Sequence, residues 1–443
     1  MRFVAIALVI LSLPIFIALL TQYRDRRDWA LFAIGVMLFL VGTLQIDGAL
    51  ITWRLWQGYV RGVFISPVDT LSLALIITRT GKARVHYLWV LLLFALPSLV
   101  SIAVSYMPMA SFFVTMQVLR IALMFYALAG ELHRPSAMRS LFGGVAVGLM
   151  IQGGYVIQQK LSGVVQARGT ADHQNILGMM VELAAIPLLA LVLEGDKRKL
   201  LYAGLIAALV IVAGGGSRGT MAFVAAGLAL ATLLSVMRRM TPRKGKLLGV
   251  AVMASLLVVP LGLATLKDRF GDRSVTVLDE QRPAFERAAR AMAADHPLGV
   301  GANTYVMIAN EQGYSQRAGV SWGGNNLAAP VHNSFLLMRA EMGWFGEIVM
   351  FLVIAVFIIG GLRTGFSEKK QAMVGMALGA ATSGIVIAFH ANYEYAWHLE
   401  VVQRLFFVNL AVLSACVALT RQTKFQRLRE RRERARSAQV AST

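Results

Sequence analysis

The chain has 443 residues, of which 57% are apolar and only 15% are charged. Soluble globular proteins carry about a quarter charged residues, so this composition excludes a soluble chain of this length. The formal net charge of +20 does not indicate a nucleic-acid partner, because the basic residues are dispersed among loops on one side of the predicted spans. The single cysteine, Cys416, lies in an apolar run, which excludes a disulfide framework and a cysteine-based metal site.

The apolar residues occur in separate runs of about 17–25 residues, each long enough to cross about 30 Å of hydrocarbon as a helix. The sequence therefore predicts an all-α, polytopic integral membrane protein with about 12–13 transmembrane helices and one large external loop. The weakest run, 63–78, either crosses the membrane or re-enters it from one side. The runs lie at 3–20, 30–46, 63–78, 87–106, 111–130, 139–157, 174–193, 200–215, 219–236, 247–265, 334–361, 371–390 and 402–419.

The domain organisation follows from these runs. We predict transmembrane helices 1–10 over residues 1–265, an external loop with a short amphipathic helix at 266–333, helices 11–13 over 334–419, and a basic tail at 420–443. Because cytoplasmic loops are enriched in Lys and Arg, the arginine-rich tail is predicted to be cytoplasmic. Six further basic loops then lie on the same side. With thirteen spans the N-terminus is outside, whereas it is inside if 63–78 does not cross.

Polar residues gather at the ends of three spans that begin on the outer face. The polar segments are 168–175, 214–219 and 332–334, and each precedes a helix whose N-terminus points outward. Helix N-termini present unpaired N–H groups and the positive end of the helix dipole. Together with Arg168, Arg218 and Arg282 they form a cationic rim that suits an anion, particularly a phosphate or diphosphate.

Two arginines on this rim each have a second interpretation. Arg218 follows Ser217, a natural N-cap, and glycines that allow close backbone approach; it binds an anion, or it extends to lipid headgroups. Arg282 precedes Pro283, a suitable first helical residue. Beyond it a short helix with one apolar face is predicted to lie along the membrane surface, so that Arg282 binds an anion or is only a surface residue of this helix. The face contains Phe285, Ala288, Ala289 and Met292.

The polar groups that remain could take part in chemistry or in structure. His332 lies just before a helix N-terminus, where the dipole disfavours the imidazolium, so it is a candidate proton acceptor or a structural hydrogen-bonding group. The same two interpretations apply to His173. The cluster at 390–400, which includes Glu394, either binds a sugar or forms an interfacial aromatic belt. The sequence shows no metal-ligand spacing and no nucleotide-binding loop.

In this order and spacing, these motifs resemble the O-antigen ligase and polymerase superfamily, from about residue 160 to 360. Before that segment only Arg61-Gly62 and Asp69 resemble the polysaccharide-polymerase members. Members of this family usually have a tryptophan after the loop arginine, and this chain instead has Phe285-Glu286 near that position. The motifs are Arg168 to Thr170 with His173 to Asn175, Ser217 to Gly219, Arg282 followed by Pro297 to Gly301, and His332 to Leu336 with Glu341 to Gly343.

The resemblance implies a multi-pass glycosyltransferase of the bacterial inner membrane. It would use a polyprenyl-diphosphate-linked glycan on the periplasmic face, with the C-terminus cytoplasmic and without a metal, a cofactor or a nucleotide sugar. The resemblance implies that Arg218 and Arg282 bind the diphosphate and that His332 engages the acceptor hydroxyl. Arg168, His173, Asn175, Ser217, Asn333 and Glu394 are the further candidates for substrate binding.

The identity of the acceptor remains open at this stage. A lipid-linked repeat unit would make the protein a polymerase, lipid A-core an O-antigen ligase, and a protein hydroxyl an oligosaccharyltransferase. The alternative from another class is a transporter or flippase of lipid-linked glycans, for which Arg120 and Glu182 are the main polar candidates within spans.

Overall fold

The computed structural model describes residues 2–41, 47–82, 85–249, 274–322, 326–368 and 372–441. Helices dominate these ranges, which confirms the predicted all-α, polytopic membrane fold. The helices are α1 (Arg2–Gln22), α2 (Arg27–Met37), α3 (Pro67–Ile77), α4 (Leu88–Val104), α5 (Pro108–Glu131), α6 (Pro135–Leu161), α7 (Gln174–Leu193), α8 (Lys199–Gly215), α9 (Arg218–Arg238), α10 (242–249), α11 (Ser274–Asp295), α12 (Tyr305–Glu311), α13 (Tyr314–Arg317), α14 (Ser334–Ser367), α15 (Met376–His390) and α16 (Glu400–Ala441).

Eight helices in the described ranges are long and apolar enough to cross a membrane. They are α1, α5, α6, α7, α9, α14, α16, and α15 together with the turn before it. The apolar helices α3, α4 and α8 are shorter. Most of the predicted run 247–265, and the start of the predicted external loop, lie outside the described residues.

The run 63–78 is divided between a strand and a short helix. Strand β1 (Gly48–Thr52) pairs antiparallel with β2 (Gly62–Ile65), a hairpin that the sequence did not predict. Helix α3 has 11 residues, about 16 Å at 1.5 Å per residue, which is too short to cross about 30 Å of hydrocarbon. Its start is fixed by a capping box, in which the Asp69 carboxylate accepts from the Ser66 amide at 2.7 Å.

The described residues from α11 to the start of α14 pack against one another and against the first turns of α14. The apolar face of α11 is buried against α12, α13 and the first turns of α14 in a small core of its own. Phe285 and Met292 are both buried there. Protein side chains therefore cover the apolar face of the predicted amphipathic helix.

A break in α14 receives the loop that follows α11. At Gly343 the backbone leaves the helix, with φ +67° and ψ −170°, and this frees carbonyl groups of the preceding turn. The Val300 amide donates to the Ala340 carbonyl at 3.0 Å, and the Gly301 amide donates to the Glu341 carbonyl at 2.8 Å. A Cβ at Gly343 would come within 2.4 Å of the Pro297 carbonyl oxygen, so only glycine fits this contact.

The C-terminal helix continues without interruption past the predicted span. The apolar run 402–419 lies within α16, which extends to Ala441. The predicted basic tail is therefore a helical extension of the last candidate span.

Candidate active site

A buried carboxylate joins three separate elements of the fold. Glu394 lies in the connection between α15 and α16 and is 4% exposed. Its Oε1 accepts from Asn175 Nδ2, in the first turn of α7, and from Arg282 Nη2 of α11 at 3.4 Å. Its Oε2 lies 3.3 Å from Nδ1 of His332, two residues before α14. Residues from distant parts of the sequence therefore share one acceptor.

The start of α14 is held firmly beside this carboxylate. Asn333 is the N-cap, and its Oδ1 accepts from the amides of Phe335 and Leu336 at 3.0 and 3.1 Å. The Ser334 hydroxyl donates to the Glu394 carbonyl at 2.6 Å. Asn333, a predicted substrate-binding residue, is thus occupied as a helix cap, and it fixes the backbone next to His332.

The His332 imidazole lies between two aromatic rings. The centroid of Tyr395 is 5.6 Å away in a perpendicular arrangement, and that of Phe285 is 6.0 Å away. The side chain is 26% exposed. Across the described ranges no side chain or carbonyl hydrogen-bonds its Nε2. Nδ1 therefore faces Glu394, and Nε2 is available to a substrate.

The electrostatic balance keeps Glu394 ionised. Burial alone would raise the pKa of its carboxyl group, but the hydrogen bond from His332 and the charges of His332 and Arg282 together lower that pKa. Glu394 therefore acts as an acceptor only, and the Nδ1 that faces it must carry a proton. This assigns the His332 tautomer from its neighbour.

The turn before α7 brings two more predicted residues close to this cluster. His173 is the N-cap of α7, and its Nδ1 accepts from the Asn175 amide at 3.2 Å. Burial lowers the pKa of His173. The negative charge of Glu394 opposes this shift, and the positive charge of Arg168 adds to it. Arg168 donates from Nη1 to the Asp172 carbonyl at 2.9 Å. His173 is therefore a neutral helix cap, and Arg168 stiffens the turn that presents it.

Arg282 contacts the same connection twice. Besides Glu394, it reaches the Tyr393 carbonyl from Nη1 at 3.3 Å. Its side chain is 36% exposed, so part of the side chain remains accessible. The arginine thus combines an anchor on protein with a charged group that a ligand can reach.

The structure places Arg218 and Ser217 at the start of α9, beside His390. The Ser217 hydroxyl caps the helix and accepts from the Thr220 amide at 3.4 Å. A Cβ at Gly219 would lie 3.7 Å from Nε2 of His390. Helices α7 and α9 touch closely near these ends, since a Cβ at Gly178 would come within 2.1 Å of the Thr220 hydroxyl. The N-termini of α7, α9 and α14 therefore meet in one region.

Two features of this region were not predicted. Glu182 of α7 pairs with His390, Oε1 to Nδ1, at 2.7 Å. Tyr395 lies against His332. Neither contact leaves a local signal, because each joins residues far apart in sequence. Among the described residues, no three His, Cys, Asp or Glu side chains are grouped so that they could hold a metal ion.

Comparison with known proteins gives one family. Residues 203–352 match the family model described as O-antigen ligase, and no curated protein matches the chain. The matched segment contains Arg218, Arg282 and His332, and it runs from α8 to the first half of α14. This match supports the similarity to the O-antigen ligase and polymerase superfamily that the ordered sequence motifs indicated.

Proposed function

We propose that the protein is a glycosyltransferase of the bacterial inner membrane. It moves a polyprenyl-diphosphate-linked glycan to an acceptor sugar hydroxyl on the periplasmic face. The observation that carries this proposal is the shared carboxylate of Glu394, which brings His332 and Arg282 to one place. A proton acceptor and a cation side by side are what this transfer requires.

His332 activates the acceptor. Its Nδ1–H points to Glu394, so the lone pair of Nε2 is free to take the proton of a sugar hydroxyl. The 3.3 Å separation between Nδ1 and Oε2 is long for a hydrogen bond to an ionised carboxylate, and such contacts commonly shorten when substrate binds. Glu394 orients the ring and stabilises the imidazolium that forms. Tyr395 and Phe285 limit its rotation.

The arginines bind the donor. Negative charge develops on the diphosphate as the anomeric bond breaks, and preorganised guanidinium groups and helix N-termini stabilise that charge. Arg282 is held by Glu394 and the Tyr393 carbonyl but remains partly exposed. Arg218 adds a second cation at the start of α9. The polyprenyl chain remains in the bilayer beside the apolar helices.

The reaction is a direct displacement. The acceptor oxygen forms a bond to the anomeric carbon, the bond from that carbon to the phosphate oxygen breaks, and its electron pair leaves with the diphosphate. The hydroxyl proton passes to Nε2 of His332. A single displacement inverts the anomeric configuration, and it needs neither a covalent enzyme intermediate nor a metal ion.

The acceptor is a lipid-linked repeat unit, lipid A-core or a protein hydroxyl. The resemblance of Arg61-Gly62 and Asp69 to polymerase members carries little weight for this choice. Asp69 caps α3 and accepts from Arg120 at 2.7 Å. Gly62 lies in the hairpin, where a Cβ would come within 2.1 Å of the Ile51 carbonyl oxygen. Structural requirements thus account for Asp69 and Gly62.

The test separates acid–base chemistry from structure at His332. We expect His332→Ala and His332→Gln each to lose on the order of a hundredfold or more in transfer rate, the usual scale for a general base. Donor binding should be nearly unchanged in both variants, because the arginines hold the diphosphate. The assay uses purified protein with lipid-linked donor and acceptor, and it measures binding and turnover separately.

His296→Gln is the matched control. This histidine lies in the same segment and contacts Tyr314 at 3.3 Å and Gln312 at 3.4 Å, so its loss tests general damage to the loop. A near-wild-type rate for His332→Gln would remove His332 from catalysis.

A further inference from the structure

A second histidine–glutamate pair lies beside the start of α9. Nδ1 of His390, the last residue of α15, is 2.7 Å from Oε1 of Glu182 on α7. The two residues are 2% and 0% exposed. Neither is needed for acceptor activation by His332, and burying two titratable groups without a function is costly.

The ring of His390 is held in one orientation. Phe223 of α9 stacks on it with centroids 4.7 Å apart and an interplanar angle of 27°. With Nδ1 fixed by Glu182, Nε2 points toward the first turn of α9, where a Cβ at Gly219 would lie 3.7 Å away. Within the described ranges, no protein group hydrogen-bonds this nitrogen. An unpartnered nitrogen of a buried side chain therefore faces a helix N-terminus.

The pairing favours a charged imidazole. An ionised carboxylate is stable in a buried position only when it is paired and hydrogen-bonded. The second oxygen of Glu182, Oε2, is buried and has no hydrogen-bond partner among the described residues, so His390 is the group that compensates it. An imidazolium donates from both nitrogens, which makes Nε2–H a donor directed at the start of α9.

We propose that His390 is a third ligand of the donor diphosphate, donating from Nε2 to a phosphate oxygen held at the start of α9. The inference rests on the proposed function and adds a residue to its anion site. The oxygen would also meet the first-turn amides of α9 and the guanidinium of Arg218. Glu182 is then a positioning residue, which holds the ring and maintains its charge.

The experiment measures diphosphate affinity directly, without turnover. Inorganic diphosphate and a polyprenyl diphosphate without glycan are titrated into purified full-length protein in detergent. His390→Phe keeps the ring stacked on Phe223 and removes both nitrogens. Hydrogen bonds to charged groups contribute about 1.5–3 kcal/mol, so the affinity should fall about 10- to 100-fold. His390→Gln, which retains an amide donor, should recover part of it.

Glu182→Gln tests the positioning role. The amide oxygen still accepts from Nδ1, but the negative charge is lost, so diphosphate affinity should fall less than in His390→Phe. Glu131→Gln is the control, because Glu131 is also buried and paired, with Arg27 at 2.6 Å, and belongs to no proposed site. Both variants remove a buried charge, yet only Glu182→Gln should weaken diphosphate binding.

The outcomes separate this inference from the proposed function. If Arg218→Ala weakens diphosphate binding and folded His390→Phe binds like wild type, His390 is not a ligand and the proposed function survives. If Arg218→Ala also binds like wild type, the diphosphate site at α9 itself is wrong. Equal losses for both probes support a contact to the diphosphate, whereas a loss with the lipid probe alone would assign His390 to the polyprenyl chain and overturn the inference.

Discussion

Glu394→Gln perturbs the centre of the candidate site while keeping its shape. The carboxylate accepts from Asn175, Arg282 and His332. The glutamine amide has only one acceptor oxygen, and its NH₂ group would face one of these three donors. Hydrogen bonds to a charged group contribute about 1.5–3 kcal/mol. The Arg282 contact is long and its side chain is about one third exposed, so solvent screens this interaction and it adds little. We therefore expect Glu394→Gln to lower the free energy of unfolding by about 1–2 kcal/mol.

The effect on transfer should exceed the effect on folding. Without the carboxylate, His332 loses the group that fixes its tautomer and stabilises its imidazolium, and we expect a loss on the order of a hundredfold in rate. Thermal unfolding in detergent and turnover with lipid-linked donor are measured on the same preparation. Glu347→Gln, which breaks the 2.6 Å pair with Arg339, is the control. Wild-type turnover by Glu394→Gln would refute this account.

Three further predictions test the topology, the fold and the pH response. Single cysteines in a Cys416→Ser background should react with an impermeant thiol reagent in intact spheroplasts when they replace exposed residues such as Glu311 and Gln316. Cysteines placed in the tail should not react, and the reverse pattern would contradict the proposed orientation. Gly343→Ala should cost about 1–3 kcal/mol through backbone strain and contact with the 297 carbonyl at 2.4 Å, whereas Gly154→Ala, with open space around it, should be tolerated. Burial lowers the pKa of His398 to about 4, below about 6.5 for an unfolded histidine. The neutral, buried ring therefore supports folding fully above pH 6.5, and the melting temperature should fall as the pH drops from 6.5 toward 4. His398→Gln should flatten that fall, and an unchanged dependence of melting temperature on pH would refute the assignment.

Most of the fold could be predicted because the apolar runs are set by the bilayer. A span needs about 20 apolar residues, and the runs that became α5, α6, α7 and α14 satisfy this locally. The hairpin before α3 could not be predicted in the same way. Its strand Gly62–Ile65 is apolar and directly precedes an apolar helix. The hydropathy over residues 63–78 therefore looks like that of one continuous apolar segment. The Ser66–Asp69 capping box was the available signal for a boundary there.

The candidate residues of the site could be recognised in the sequence, but the contacts between them could not. Helix N-termini and their polar caps are local features, so His173, Ser217 and Asn333 were recognisable in the sequence, although the structure uses each of them as a cap. The role of Glu394 as the common acceptor depends on which helices lie side by side. That information resides in tertiary packing, as does the pairing of Glu182 with His390.

The glycine motifs explain how a loop can hold catalytic groups at a precise position. A loop on the surface of a bundle would normally be mobile, yet Arg282 must stay within reach of Glu394. The break at Gly343 exposes helix carbonyls that the amides of Val300 and Gly301 occupy, so the loop after α11 is hydrogen-bonded into α14 as if it were part of that helix. The same helix begins next to His332. Because α11 packs on the first turns of α14, one rigid element sets the positions of both Arg282 and His332. If these residues have the roles proposed above, strain at Gly343 should lower turnover even where the chemical groups are intact.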